Sequence, residues 1–489
     1  MVNFVWKTSV IFLILISLSG CNEDFWLNYQ LSKEIAKHNF TGDPAEGRTL
    51  PHISEPLPQL GKALFFSKAL GGDKDTACVS CHYPTLGGAD GLALPIGVGA
   101  EEPDVLGPGR RHSSSSEHYD GGPTVPRNSP TVFNMGLWDR SIFHDGRIES
   151  LFPVPGQNGA IGGIATPDVS LGMADPDAGI NLTVAQTRFP VTSKEEMRGF
   201  EFESDGTNAD VRNHLANRLQ GASGFEHELD ENRWLDEFRD VFNQPDTDAE
   251  SLITYGNIAL ALGEYERSMV FTNTPWKQYV QGDMAALSKN AKKGALLFFN
   301  EPQQGGAGCV NCHSGDNFTD EDFHVIAMPQ IGRGKEDSTM DQGRWYVTGA
   351  DNDRYAFRTP SLLNVTKTSP WGHAGAYSSL KQVILHHANP QQAITQFNYS
   401  ELDQDIQASM LLTNTRPALK QLQTLRSEGQ SKLPRISLSD KEVLLLIAFV
   451  ESLTDPCVED RECLSPWIAT GNGPDGLTLH AINKNGDPL

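Results

Sequence analysis

The sequence predicts a mostly α-helical fold built from two similar domains in tandem, joined by long loops. An internal repeat is the first reason: "GKALFFSKALGGDKDTACVSCH" begins at Gly61, and "GALLFFNEPQQGGAGCVNCH" begins at Gly294. The two copies are too far apart for a solenoid, so they indicate two domains, each with a helix that leads into a cysteine-containing loop. The second reason is that helical periodicity is frequent along the chain, whereas alternating strand patterns are few.

Two segments outside the repeat also carry helical patterns. "AESLITYGNIALALGEYERSMV" has apolar residues at helical spacing, and "SLSDKEVLLLIAFVESLTDP" has a cap predicted from Ser437 and Asp440, an apolar helix and a Pro stop. The Gly-rich stretches 107–123 and 155–182 lack periodicity. They are expected to be long loops, either functional covers or disordered surface.

The N-terminus has the pattern of an export signal. One Lys precedes an apolar stretch from Val10 to Leu18 that is too short to span a bilayer. It ends in "LSGC", which resembles the lipobox of bacterial lipoproteins, where cleavage leaves Cys21 as the lipidated residue. An ordinary signal with an incidental Cys21 is the alternative. We therefore expect a bacterial protein on the periplasmic side, anchored by lipid to the inner or the outer membrane.

The net charge of -23 makes nucleic acid an unsuitable partner, because phosphate would be repelled across most of the surface.

The cysteines indicate covalently bound haem. Of seven cysteines, six remain once Cys21 is set aside, and four of these stand in two C-x-x-C-H motifs. The motif residues are Cys78, Cys81 and His82 in the first copy and Cys309, Cys312 and His313 in the second. Two thiols one turn apart can form thioethers with both haem vinyl groups, and the following His then binds the iron. The motifs therefore predict two haems c, one in each of two tandem cytochrome c-like domains.

Two other interpretations of the C-x-x-C-H cysteines fit less well. A thioredoxin-like pair does not need the following His, and a zinc site would require its other half nearby. Cys457 and Cys463 are left as a pair in "DPCVEDRECL". Export favours a disulfide between them, and two free thiols are the alternative.

From about Leu60 to Leu453 the chain resembles the bacterial di-haem cytochrome c peroxidases. That superfamily includes the MauG-type enzymes, which oxidise residues of a partner protein. Besides the two haem motifs and the doubled "G-x-x-L-F-F", the strings that carry the resemblance are "RNSPTVFN", "FHDGR", "PVTSKEEM", "FRTPSLLNVTKTSPWGHAG" and "LSDKEVLLLIAFVESLTD".

The resemblance implies a domain plan. It consists of a lipoprotein signal over 1–20, a linker over 21–50, a first domain with the peroxidatic haem over 51–284, a second domain with the electron-transfer haem over 285–455 and a tail over 456–489.

The resemblance also implies roles for single residues. The haem on His82 keeps a vacant face where hydrogen peroxide binds, and the haem on His313 is six-coordinate and feeds or stores electrons. The distal acid–base glutamate matches Glu196, a residue type that can move a proton between the two peroxide oxygens. A calcium ion is implied at Asn128, Thr368 and Pro370, which offer the oxygen donors that a hard cation requires.

The chain departs from the family in three places. His144 replaces the Trp that bridges the haems, and Trp138 is the nearby candidate to substitute for it. A family Gln that follows this string has no counterpart in "IESLFPVPG". The distal His does not align either, because counting forward from His82 reaches Val98 and counting back from Asn128 reaches His118. The first haem is therefore expected to be either open or gated by His112 or His118.

The sixth ligand of the second haem follows the Thr of the T-x-P string by nineteen residues in the family. It is Met in typical peroxidases and Tyr in MauG-type enzymes. Nineteen residues after Thr368 stands His387. Imidazole is a standard axial ligand, so His387 is predicted as the ligand, with His386 and Met328 as alternatives.

Three functions remain open from the sequence. The first is reduction of hydrogen peroxide with electrons from a small electron-donor protein such as a cytochrome c. The second is a MauG-like oxidation of side chains on a partner protein. The third, of another class, is a non-catalytic electron-transfer cytochrome or haem sensor.

Overall fold

The computed structural model describes residues 23–116, 118–335 and 338–489. Over these residues the chain is rich in short helices and contains little sheet, as the sequence predicts. The signal segment and Cys21 lie outside the described residues. Among the helices that are described, none is long and apolar enough to cross a bilayer.

Helices form most of the regular structure, and many are only one to three turns long. They are α1 (23–38), α2 (Pro56–Phe66), α3 (Leu182–Gln186), α4 (Asn208–Gln220), α5 (Trp234–Phe242), α6 (Ala249–Leu252), α7 (Tyr255–Arg267), α8 (Pro275–Val280), α9 (Lys289–Phe299), α10 (Trp345–Thr348), α11 (Leu380–Ala388), α12 (Pro390–Thr395), α13 (Leu411–Ser427), α14 (Asp440–Glu451) and α15 (Arg461–Leu464).

The strands are short and form two small antiparallel sheets. The first sheet has the order β1 (Ser141–Ile142), β2 (Ile148–Ser150) and β3 (Ile164–Ala165). The second pairs β4 (Phe323–His324) with β5 (Phe357–Arg358), in the register that places Phe323 opposite Arg358.

Gly61 and Gly294 give the internal repeat a physical explanation. Gly61 lies in α2, which packs on α7, and a Cβ at this position would lie 2.0 Å from the carbonyl oxygen of Ala261. Gly294 lies in α9, which packs on α14, and a Cβ there would lie 1.9 Å from the carbonyl oxygen of Leu445. Both distances are shorter than any van der Waals contact. Only glycine therefore lets each helix pair approach so closely.

The two helical segments outside the repeat form helices, and one predicted cap was wrong. The segment 249–270 forms two helices, because the Thr254 hydroxyl accepts the Asn257 amide and begins α7 anew. Helix α14 is capped by Ser439 and not by Ser437. The Ser439 hydroxyl accepts the Glu442 amide while the Glu442 carboxylate accepts the Ser439 amide, which is a capping box two residues later than predicted.

Each end of the described chain packs on the more distant of the two main hydrophobic cores: the N-terminal helix on the second core and the C-terminal segment on the first. Helix α1, expected to be part of a linker, packs on the core around α9 and α14 through Leu31, and Asp24 pairs with Lys292 at 2.9 Å. The residues after 455, expected to be a tail, pack along the core around α2 and α7. There the Lys68 amide donates to the Leu477 carbonyl at 3.0 Å. Apolar side chains at both ends of the chain drive these contacts.

The C-terminal segment also reaches the first C-x-x-C-H loop. A disulfide joins Cys457 and Cys463 within it. The carbonyl oxygen of Leu489 accepts a hydrogen bond at 2.9 Å from the hydroxyl of Tyr83, which directly follows His82. The end of the chain therefore braces the loop that carries the first motif.

Buried arginines hold both Gly-rich stretches in place. In the first stretch, Arg110 donates to the carbonyl oxygens of Ile96 and Gly97 at 2.8 and 3.1 Å. In the second, Asp175 accepts a hydrogen bond from Arg188 at 2.6 Å. Each stretch is therefore anchored to the rest of the fold at this point.

Arg127 joins three segments of the chain. Its guanidinium donates to Asp145 at 2.6 Å and to both carboxylate oxygens of Asp341 at 2.6 and 2.9 Å, and all three residues are buried. Burial alone would raise the pKa of Asp145, but the charges of Arg127 and Arg147 hold it well below its usual range. The network therefore stays ionised at neutral pH and ties the three segments together.

Replacing Arg127 by Met should destabilise the protein by about 3–5 kcal/mol, because two buried carboxylates lose their counter-charge. Urea unfolding followed by circular dichroism at neutral pH measures this loss.

Arg140→Met is the matched control. Arg140 pairs with Asp322 at 2.5 Å on the surface, so its loss should cost only about 0–1 kcal/mol. Equal losses for the two variants would show that the buried network does not hold the segments together.

Candidate active site

One cavity of about 420 Å³ is lined by both C-x-x-C-H loops. Each motif begins with a 3₁₀ turn, Cys78–Ser80 in the first and Cys309–Asn311 in the second. The motif residues that line the cavity are Cys78, Cys81, His82, Cys309, Cys312 and His313. The two loops therefore share one internal space.

The four motif cysteines are not disulfide-bonded. Burial raises the pKa of Cys78 to about 12 and that of Cys309 to about 12. A dithiol redox pair works through a thiolate of low pKa, so these environments argue against the thioredoxin-like alternative.

The zinc alternative fits poorly at the second motif. Cys312, Asp320 and His324 bring one possible ligand atom each within 4.8 Å of one another. The Asp320 carboxylate is already paired with Nε2 of His324 at 2.8 Å and with Nζ of Lys432 at 3.0 Å. The group does not include Cys309, and structural zinc sites take four ligands, mostly Cys and His.

His82 is oriented to bind a metal through Nε2. Its Nδ1 lies 3.2 Å from the Gly88 carbonyl oxygen and 3.3 Å from the Ser129 hydroxyl. Burial lowers the pKa of His82 to about 4, so the ring is neutral at neutral pH. A neutral imidazole held at Nδ1 presents the lone pair of Nε2, and the surroundings of His82 therefore fit an axial haem ligand.

His313 and His387 face each other across the second part of the cavity. Their ring centroids are 6.5 Å apart. Nδ1 of His313 lies 3.1 Å from the Phe318 carbonyl oxygen and Nδ1 of His387 lies 2.8 Å from that of Val383, which leaves Nε2 of each ring for a metal. With metal–imidazole bonds of about 2 Å, two rings on opposite sides of one ion have centroids roughly 6 Å apart. The observed spacing fits one iron between them.

His386 is engaged elsewhere. Its Nδ1 lies 2.9 Å from the Tyr377 hydroxyl and its Nε2 lies 2.9 Å from the Ile326 carbonyl oxygen. Both ring nitrogens are therefore used within the protein. Met328 also lines the cavity, and of the three candidates His387 is the one whose distance from His313 is known to fit a shared iron.

Glu196 lies on a π-helical turn, Lys194–Arg198, and lines the cavity on the side of the first motif. Ser193 caps the turn by accepting the Glu196 amide at 3.3 Å. A Cβ on Gly97 would lie 2.2 Å from the Glu196 carbonyl oxygen, so this glycine lets the neighbouring loop press against the turn. Single π turns are frequent at functional sites.

Burial raises the pKa of Glu196, and the charges of Arg147 and Lys335 offset part of that effect. Arg147 and Lys335 line the same cavity. A carboxyl group of raised pKa exchanges its proton closer to neutral pH than an exposed glutamate does. The site can therefore hold or release a proton at the Glu196 carboxylate.

Neither His112 nor His118 lines this cavity in the described part of the chain. His112 lines a separate cavity of about 270 Å³ below the first Gly-rich stretch. His118 stacks on Phe200 with ring centroids 3.8 Å apart. Val98, at the other counted position, carries no ligand atom in its side chain. Neither candidate gate therefore stands beside His82.

Asn128, Thr368 and Pro370 all line the cavity. The Asn128 amide nitrogen donates to the carbonyl oxygens of Leu92 and Ala93 at 2.8 and 3.2 Å, which directs the amide oxygen the other way as an acceptor. The chemistry of these oxygens suits a hard cation.

His144 and Trp138 both line the cavity that the two motifs share. Nε2 of His144 lies 2.9 Å from the Asn128 carbonyl oxygen, and burial lowers the pKa of His144 to about 3. The guanidinium of Arg358 lies 3.5 Å from the Trp138 ring centroid. The His144 imidazole is therefore neutral, whereas the Arg358 cation lies over the face of the Trp138 indole.

Glu266 and His373 are cavity residues to which the sequence assigned no role. Burial raises the pKa of Glu266 to about 8, and one of its carboxylate oxygens has no hydrogen-bond partner among the described residues. His373 stacks on Phe357 at 3.9 Å, and both of its ring nitrogens lack partners in the same sense. Such buried polar atoms are expected to meet a bound group. Two features of the sequence could have indicated these residues: Glu266 is a charged residue on the buried face of α7, and His373 stands within the "WGHAG" string.

Comparison with known proteins shows which family the chain resembles. The model of the di-haem cytochrome c peroxidase family matches residues 55–285. The methylamine utilization protein MauG of Methylorubrum extorquens is 27% identical over 67% of this chain and 67% of its own length. The cytochrome c551 peroxidase of Pseudomonas aeruginosa is 26% identical over 69% of this chain and 73% of its own.

Solved structures show the same fold. A MauG-like protein associated with microbial copper homeostasis superposes with a TM-score of 0.53 at 20% identity, over 86% of this chain and 95% of that one. The di-haem peroxidase BthA of Burkholderia thailandensis gives 0.52 at 18% identity, over 90% and 93%. The family match, the curated relatives and the fold agree. Over residues 55–285 the chain is therefore similar to the di-haem cytochrome c peroxidases, and over about two thirds of its length it is similar to MauG and to cytochrome c551 peroxidase.

Proposed function

We propose that the chain is a di-haem c-type peroxidase that reduces hydrogen peroxide with electrons from a small redox protein. Two tandem cytochrome c-like domains, 51–284 and 285–455, each hold one haem c through the cysteines of a C-x-x-C-H motif. The observation that carries the proposal is the shared cavity, where His82 and Glu196 line one part and His313 and His387 face each other in another. The repeated glycine packing of α2 and α9 supports the tandem arrangement.

Glu196 moves the proton in this proposal. A haem on His82 would supply the iron that accepts peroxide oxygen and electrons. Heterolysis of the O–O bond requires a proton to pass from the inner to the outer peroxide oxygen, and the Glu196 carboxylate can accept it and return it. The raised pKa of Glu196 assists the first of these steps, because a carboxylate of higher pKa is a stronger base toward the peroxide proton.

His387 makes the second site differ from a Met-ligated one. Methionine ligation raises the potential of a haem, whereas a second imidazole favours the oxidised iron. A haem held by His313 and His387 would retain oxidising equivalents well. This supports the second candidate function, in which the protein uses peroxide to oxidise side chains of a partner protein.

Trp138, His144 and the stacked pair of His373 and Phe357 are the candidates to mediate electron exchange between the two haems, because all of them line the shared cavity. Cations lie close to these rings: the Arg358 guanidinium is 3.5 Å from the Trp138 ring centroid, and that of Arg127 is 5.6 Å from the Phe357 ring centroid. Such cations disfavour a positive charge on the neighbouring ring.

A calcium ion at Asn128, Thr368 and Pro370 would join the segments that carry the two motifs. The lipobox supports export to the periplasmic side and an anchor on Cys21. A small electron-donor protein, or a protein substrate, would meet the enzyme there.

Glu196→Gln should slow the reaction with peroxide by about 10²–10⁴-fold while both haems stay bound, because the amide cannot accept the proton. Stopped-flow absorbance of the haem bands measures the rate. Glu195→Gln is the control, since Glu195 is on the same turn but outside the described lining of the cavity. A normal rate in Glu196→Gln would remove Glu196 from the mechanism.

The pH profile of that rate should shift in Arg147→Gln. The ionised form of Glu196 accepts the proton, so the rate falls as pH drops through its pKa. Removing Arg147, whose charge lowers this pKa, should move the fall to higher pH. An unchanged profile in the Arg147 variant, with the Arg140→Gln control also unchanged, would mean that another group governs the acid limb.

His387→Ala should abolish the low-spin ferric EPR signal of the second haem, because its sixth ligand is lost. His386→Ala should keep that signal, since both ring nitrogens of His386 are bound within the protein. If His386→Ala loses the signal and His387→Ala keeps it, His386 is the ligand.

Steady-state assays separate the functional classes. Rapid oxidation of reduced cytochrome c by peroxide supports the first function, and slow oxidation with peroxide-dependent modification of a partner protein supports the second. Absence of any peroxide consumption leaves the electron-transfer cytochrome or sensor.

A further inference from the structure

Helix α1 exposes three aromatic side chains on one face. Phe25, Trp26 and Tyr29 are 63%, 53% and 45% exposed. The rings of Phe25 and Trp26 lie 6.1 Å apart and those of Trp26 and Tyr29 lie 5.7 Å apart, both edge to face. They form one contiguous cluster, which we call the aromatic face. Exposed apolar clusters of this kind mark interaction surfaces.

The opposite side of α1 already has its partners. Leu27 and Leu31 are buried, and Leu31 belongs to the core around α9 and α14. The Tyr279 hydroxyl donates to the Asn28 side chain at 2.9 Å. The helix is therefore fixed on the second core by this side, and the aromatic face does not contribute to holding it there.

Lysines follow the aromatics along the same side of the helix. Nζ of Lys33 lies 4.3 Å from the Tyr29 ring centroid, and Lys37 follows one turn later, where it pairs with Glu34 at 2.9 Å. Aromatic rings beside a lysine are typical of helices that lie in the membrane interface, where the rings sit at the headgroups and the ammonium group meets lipid phosphates.

A lipid on Cys21 would place this helix at a membrane. Cys21 precedes Glu23, the first described residue of α1, by only two residues. Two residues span at most about 7 Å, so a lipid on Cys21 would keep the start of α1 at the bilayer surface. A side chain at position 25, 26 or 29 is then within reach of the headgroups.

We propose that the aromatic face is a second membrane contact that inserts into the interfacial layer of the bilayer beside the lipid anchor. The proposal rests on the proposed lipidation of Cys21 for its location, and it adds an orientation. Because α1 is packed on the second core, the second haem domain faces the membrane and the first faces away.

The test uses the haem-loaded mature protein with Cys21→Ser, so that no lipid is attached. Flotation with vesicles of phosphatidylethanolamine and phosphatidylglycerol measures its partition coefficient. The triple variant Phe25→Gln, Trp26→Gln, Tyr29→Gln should reduce partitioning by roughly tenfold or more. The control triple Phe152→Gln, Leu171→Gln, Met173→Gln removes similarly exposed apolar side chains elsewhere and should leave partitioning unchanged. Equal effects of the two triples overturn the proposal.

A second measurement covers the lipidated protein. Brominated lipids should quench part of the tryptophan fluorescence of the wild-type protein, and this quenched part should be absent in Trp26→Phe. If the wild-type protein shows no quenching that depends on Trp26, the aromatic face does not contact the bilayer and the proposal is wrong. Mass spectrometry of the N-terminus tests the lipid on Cys21 separately, so the anchor and the face can fail independently. If the aromatic triple instead dissociates a dimer in sedimentation equilibrium without changing vesicle binding, the face joins two copies and the membrane proposal is wrong.

Discussion

The buried ion pairs of Arg127 are the interaction on which the cavity depends. Asp145 and Asp341 both bind the Arg127 guanidinium. In the chain, Asn128 directly follows Arg127 and His144 directly precedes Asp145. A charge that has left water tolerates little displacement, because any movement leaves it unpaired. The wall of the cavity between the two motifs therefore takes its position from an electrostatic requirement, and the side chains that line it follow.

The same burial acts oppositely on bases and acids, and both effects suit the chemistry. It lowers the pKa of His82, His313 and His387, so these rings stay neutral and can offer a lone pair. It raises the pKa of Glu196, so this carboxyl can carry a proton. A low-dielectric environment disfavours every charged form, whichever its sign. One physical cause therefore prepares the candidate ligands and the candidate acid–base group together.

The two ends of the chain connect the domains in a way that local patterns do not reveal. Segments expected to be a linker and a tail instead bury apolar side chains against the core at the far end of the chain. Their patterns are short and irregular, so only the surfaces that they meet explain why they are ordered. This arrangement also means that the first motif loop is braced by Leu489 and the second core by α1.

By itself the sequence determined what depends on spacing along the chain. The C-x-x-C-H motifs place two thiols and an imidazole within one turn, and the doubled glycine helices follow from local patterns that the structure explains at Gly61 and Gly294. The count from Thr368 favoured His387 over His386, and the tertiary structure adds a physical reason, because Tyr377 and Ile326, which occupy the ring nitrogens of His386, come from outside its helix. The tertiary structure also brought Glu266 and His373 to the cavity and kept His112 and His118 away from it. Local spacing sets which groups a segment carries, whereas long-range packing decides which of those groups meet.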